Sequence, residues 1–172
     1  MEHSVETLFL DFSIRKLEQF LGRIGECVAK LNDEQIWRRS GDHENAVGNL
    51  VLHLSGNMRQ WIIAGIGGQP DTRVRDREFA ARGEMTPAEL MQGLENTVTE
   101  AVAVLRAVTP VRLMETYQPQ KYRVTIMEGI YHVVEHFAQH TGQIMFATKL
   151  LTGQDLGFYK HLNQPVHAEK TP

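Results

Sequence analysis

Apolar residues in the first thirty positions return at alternating steps of four and three: Leu10, Ile14, Leu17, Leu21, Ile24, Val28 and Leu31. That spacing lays one stripe along a helix, and Phe9, Phe12 and Phe20 widen it. A first helix is expected from about Val5 to Leu31, weakened at Gly22 and Gly25. Asn32-Asp33-Glu34-Gln35 breaks the stripe and starts a short helical turn through Trp37, and Ser40-Gly41-Asp42 reads as a loop. A second long helix begins near Asn45. Its buried face is Val47, Leu50, Val51, Leu54, Met58, Trp61 and Ile62, and Gly65, Gly67 and Gly68 end it.

Thr86-Pro87-Ala88-Glu89 is a strong helix start: Thr86 caps, Pro87 suits the first position and Glu89 completes a capping box. Behind it, Leu90, Met91, Leu94, Val98, Ala101, Val102, Leu105 and Val108 form a third stripe, closed by Thr109-Pro110. A second capping box, Thr125-Ile126-Met127-Glu128, opens a helix from Ile126 to about Thr152, with Gly153 as its stop. Ile130, Val133, Phe137, Ile144 and Leu151 mark its core side.

The linkers are less regular. From about Gly65 to Met85 no period survives, and a structureless segment is expected, carrying Arg73, Arg75, Asp76, Arg77 and Glu78. A loop of roughly 20 residues is long for a compact domain and often covers a site, although a plain surface excursion fits as well. The link from Pro110 to Arg123 is also long, and no strand pattern appears. Four long helices give an all-α fold, a four-helix bundle in a single domain over residues 1–172. Its core runs from about 5 to 152, and a short tail, 153–172, packs locally and then frays.

Charge and cysteine content narrow the functional classes. A net charge of -3 leaves no basic footprint for nucleic acid, and Arg38-Arg39 reads as solvated surface. The single cysteine, Cys27, forbids an intramolecular disulfide and agrees with a reducing compartment. No segment approaches the ~20 apolar residues of a membrane span. The opening Met1-Glu2-His3-Ser4-Val5-Glu6 lacks a signal-peptide pattern, so a cytoplasmic protein is expected.

The chemistry lies in the histidines. His3, His43, His161 and His167 fall in termini or loops and read as solvated. His132, His136 and His140 recur every fourth residue on the last helix, and so share one face. An adjacent pair can reach one metal ion, with nitrogens at about 2.0–2.1 Å. All three cannot, because the outer two are about 12 Å apart along the axis. His140 continues the core progression Ile130, Val133, Phe137, which favours His136 with His140 as the pair. A third ligand comes most naturally from His53, the one histidine inside the second long helix. Three protein ligands and an open position are the arrangement of a catalytic metal site. Asn57, Glu135 and Gln143 lie within reach by spacing to orient the rings, and His132 reads as a supporting residue rather than a ligand.

His53 followed by His136-x-x-x-His140-x-Gly142-Gln143 resembles the DinB-like superfamily of helical bundles, and Asn49-Leu50-Val51-Leu52-His53-Leu54-Ser55-Gly56-Asn57 is similar to its helix-two ligand segment. Arg75-Asp76-Arg77-Glu78-Phe79 resembles an uncharacterised subgroup. The likeness covers the chain to about Leu151. It implies an up-down-down-up bundle, a nickel, zinc or other divalent ion on His53, His136 and His140, and a homodimer. It also implies a metal-dependent enzyme, either a transferase or isomerase that uses a small cellular thiol, or a hydrolase.

A metal there would bring the pKa of a bound thiol or water near neutral, and the resemblance puts thiol-dependent transfer first. Cys27 sits beside the first apolar stripe and is a poor candidate for that thiol, so a small molecule would supply it. Arg59, Arg75 or Arg77 could hold the carboxylate of such a substrate. A hydrolase needs a general acid or base, and Glu135 points about 100° away from its ligand neighbour. A non-catalytic metal-binding or structural dimer is the third reading. Nucleic acid and membrane are not expected as partners.

Overall fold

The computed structural model describes residues 4–166, 168 and 171. Six α-helices account for most of these: α1 (Val5–Val28), α2 (Asp33–Ile36), α3 (Val47–Met58), α4 (Arg75–Ala80), α5 (Pro87–Ala107) and α6 (Ile126–Thr152). Four of them are the long helices expected from the stripes. Ser4 caps α1 by accepting from the Thr7 amide. Capping boxes at Asn32/Gln35, Thr86/Glu89 and Thr125/Glu128 open α2, α5 and α6. Gly153 ends α6 in the left-handed region, with φ 67°, where a side chain would be strained.

The long helices surround one core. α1 packs against α5 and α6, and α3 against the same two. Leu17, Ile24, Leu54, Met58, Leu94, Leu105, Ile130 and Phe137 are among its fully buried side chains. The tail adds Leu156, which is buried, and Phe158 packs against the same cluster.

Several boundaries and details differ from the sequence reading. α1 stops at Val28, three residues early, and Phe12 is 40% exposed because it lies on the solvent side of the stripe. α3 starts at Val47 and passes at Arg59 into a π-helical stretch that ends at Ala64, before Gly65. Residues 65–85 are not structureless, because α4 forms within them. The apolar period is too short there to show, and tertiary bonds to α3 hold the helix instead. The link after α5 contains a two-stranded antiparallel sheet, β1 (Thr116–Tyr117) with β2 (Val124–Thr125). Two-residue strands carry no alternation that a sequence could display. His43 is exposed as expected, whereas His161 is half-buried on a short 3-10 turn, Lys160–Asn163. His3 and His167 lie outside the described residues.

Candidate metal centre

α3 and α6 pack against each other, and His53 on one and His136 and His140, four residues apart, on the other bring three rings together. His53 Nε2 lies 3.0 Å from His136 Nε2, and His140 Nε2 lies 3.1 Å from the same atom. One ligand atom from each residue falls within 4.8 Å of the others. Nitrogens bound tetrahedrally to one ion at about 2.0–2.1 Å stand roughly 3.3 Å apart, so the cluster has the right size.

His53 Nδ1 lies 2.8 Å from Glu78 Oε2 and 3.2 Å from Arg73 Nη2. The carboxylate is the nearer partner and can only accept, so we assign the proton to Nδ1, donating to Glu78. His140 Nδ1 donates to Gln143 Oε1 at 2.7 Å. Both rings therefore turn an unprotonated Nε2 toward His136. His136 Nδ1 is buried without a partner among the described residues, so no hydrogen bond there fixes its tautomer. A single proton on His136 Nε2 could not serve two lone pairs well, whereas a cation accepts all three. The donor set thus fits a divalent metal.

Burial, reinforced by the neighbouring His140 and His53 rings, pushes the His136 pKa down to about 3. Burial also lowers His140 and His132. Neutral imidazole is the form that binds metal, and His136 and His140 hold it at neutral pH. Glu78 behaves in the opposite sense. Burial works against its ionisation, but hydrogen bonds and charge from Arg73 and His53 outweigh it and hold the carboxyl below its ordinary range.

The other sequence candidates fall in varied places. Gln143 orients His140 directly. Asn57 is buried one turn beyond His53, and its Oδ1 has no hydrogen-bond partner among the described residues. It does not orient His53, because that ring's Nδ1 turns toward α4 rather than along α3. Glu135 accepts from Gln139 at 3.2 Å, on the exposed side of α6. His132 lies over Trp61 with ring centroids 4.1 Å apart, one turn before His136. Arg59 pairs with Glu100 at 3.1 Å. Arg59 and Arg77 line a cavity of about 350 Å³ with Leu52, Ser55, Arg73 and Glu78. Arg75 stacks its guanidinium 4.7 Å from the Phe79 ring, which in turn lies 4.7 Å from the His53 ring.

Sequence reasoning missed Glu78 and Arg73 as parts of the site. Both stand in the charged run of the 65–85 linker, and the signals for them were that run inside an unusually long connection and, for Glu78, the resemblance carried by residues 75–79. Arg73 spans both oxygens of Glu78, from Nε at 2.7 Å and Nη2 at 2.9 Å.

A mostly helical protein with a three-histidine cluster able to hold a metal ion is the class that this fold and geometry define. The chain belongs to the family described as protein of unknown function (DUF1572), whose model matches residues 4–164. Among solved structures it is similar to the conserved protein of locus from Enterococcus faecalis, at a TM-score of 0.70 and 16% identity, over 84% of this chain and 97% of that one. That likeness concerns the fold. No curated protein matches the chain.

Proposed function

We propose that this chain is a divalent-metal-dependent enzyme of the DinB-like superfamily, with His53, His136 and His140 as ligands to nickel or zinc. The observation that carries the reading is the convergence of the three Nε2 atoms, two of them with tautomers set by Glu78 and Gln143. When bound, the metal supplies Lewis acidity that makes a thiol or water nucleophilic near neutral pH. The chain's part is to present three imidazole nitrogens and to leave the remaining coordination positions to ligands from solution.

Thiol-dependent transfer is the leading chemistry, with a low-molecular-weight thiol as co-substrate. The single cysteine supports an outside thiol, since Cys27 is fully buried and burial raises its pKa. Arg59, Arg75 and Arg77 are proposed to contact the substrate, supported by the cavity that Arg59 and Arg77 share. We further propose an up-down-down-up bundle, a cytoplasmic location and a homodimer. Exposed Val5, Leu8 and Phe12 at the start of α1 support self-association. No helix among the described residues is long and apolar enough to cross a membrane.

Elemental mass spectrometry on untagged protein, purified without chelator, tests the metal. About one equivalent is expected in the parent and none in folded His53→Ala or His140→Ala. A parent that stays empty after incubation with zinc, nickel and manganese ends the proposal. Titration of the loaded protein with cellular thiols then separates the chemistries. Saturable thiol binding supports transfer, and its absence turns the assignment to a hydrolase.

A further inference from the structure

Glu78 is held in place far more tightly than an ion pair with Arg73 requires. Asn49, on the first turn of α3 and 0% exposed, donates from Nδ2 to the backbone oxygens of Glu78 at 2.9 Å and Ala81 at 3.0 Å. The same side chain accepts from the Ala46 amide at 3.0 Å through Oδ1. It therefore caps α3 and fastens α4 to it at once. Arg73 is fixed in turn by Gln60 Oε1, which accepts from Nη1 at 2.9 Å. That Gln60 sits in the π-helical stretch, and Gln120 donates to the same oxygen at 2.7 Å.

The approach of α4 to α3 has a specific opening. A Cβ placed on Gly56 would overlap the Glu78 carboxylate and come within 3.0 Å of Arg73 Nε. Only glycine leaves that space. Through the opening the carboxylate reaches His53, and the side chains of both are about nine-tenths buried, at 10% and 8% exposure. Arg73 alone would satisfy Glu78 as a structural pair. The bond to His53 Nδ1 is additional, and it has a chemical consequence: a carboxylate on the far nitrogen fixes the tautomer and raises the basicity of the near one.

We propose that Glu78 is the positioning residue of the metal centre, holding His53 with Nε2 as its ligand atom, and that Gly56 and Asn49 exist at their positions to bring it there. The role rests on the metal reading above but is also measurable without metal. Arg73 has the opposite influence. Its guanidinium withdraws charge from the carboxylate, and its Nη2, 3.2 Å from His53 Nδ1, competes as a donor for the nitrogen that Glu78 approaches at 2.8 Å.

The full chain is measured as parent, Glu78→Gln, Gly56→Ala and Arg73→Gln. Zinc affinity is read by competition with a chromophoric chelator, metal-free melting by circular dichroism, and the His53 tautomer by ¹⁵N–¹H spectra of the metal-free protein. His53 is expected as the Nδ1–H tautomer in the parent and as a mixture in Glu78→Gln. Zinc binding is expected to weaken about 10–100-fold in Glu78→Gln and in the same direction in Gly56→Ala. In Arg73→Gln it holds or tightens. A parent ring protonated on Nε2 overturns the proposal. So does a folded Glu78→Gln that binds zinc like the parent, or equal weakening in Glu78→Gln and Arg73→Gln, the result a purely structural pair would give. A parent with the Nδ1–H tautomer that takes up no zinc instead sinks the metal reading, and the metal-positioning role with it.

Discussion

Where α6 meets α1, the buried residues are Leu10, Ile14, Leu17, Phe20 and Ile24 on one side and Ile130, Val133, Phe137 and Ile144 on the other, all within one apolar cluster. Where α6 meets α3, the contact turns on His53, His136 and His140, with Asn49 and Asn57 buried nearby. The first region is held by area, which many side chains share and no single direction controls. The second depends on individual atoms, because each buried polar group needs its own partner. Removing a methylene from the first costs stability and leaves chemistry alone. Disturbing one proton in the second changes what the site can bind.

The largest effect expected from breaking this contrast is in the apolar region. Leu17 is 0% exposed. Leu17→Ala should lower stability by about 2–5 kcal/mol, read by denaturant melts of the metal-free protein, while zinc stoichiometry stays that of the parent. Loss of metal in a folded Leu17→Ala would show that the two regions are not separable.

Acid sharpens the comparison from the other side. Native His136 titrates at about 3, whereas an unfolded histidine titrates near 6.5. The unfolded chain thus binds the proton first, so stability of the metal-free protein falls as pH drops from about 6.5 toward 3. Solvent screening at a half-buried ring reduces the effect to on the order of 1–2 kcal/mol. The loss should shrink in a folded His136→Gln, leaving the part that the lowered His140 and His132 contribute, and an unchanged acid profile in that variant would assign the titration to other groups.

A smaller effect is expected at the start of α6, which serves both regions equally. Thr125 Oγ1 accepts from the Glu128 amide at 3.2 Å, and Glu128 returns the bond to the Thr125 amide at 2.7 Å. Thr125→Ala should cost about 1 kcal/mol, seen in melting temperature, with no change in zinc affinity.

The sequence by itself determined the four long helices, since apolar stripes and capping boxes are local patterns repeated over many residues. It also carried the three histidines, because two share a face at a spacing of four and the third stands alone within its helix. Gln143 was legible for the same reason, three residues from His140 on one helix. The tertiary structure alone decided that Glu78 and Arg73, not Asn57, hold His53. The bond from Glu78 to His53 spans 25 residues of chain, through a linker without periodicity. Its existence depends on a missing side chain at Gly56 and on the reach of Asn49. A helix as short as α4 leaves too few apolar positions to announce itself, and a hydrogen bond across such a distance is fixed by the packing of two elements rather than by any pattern within either.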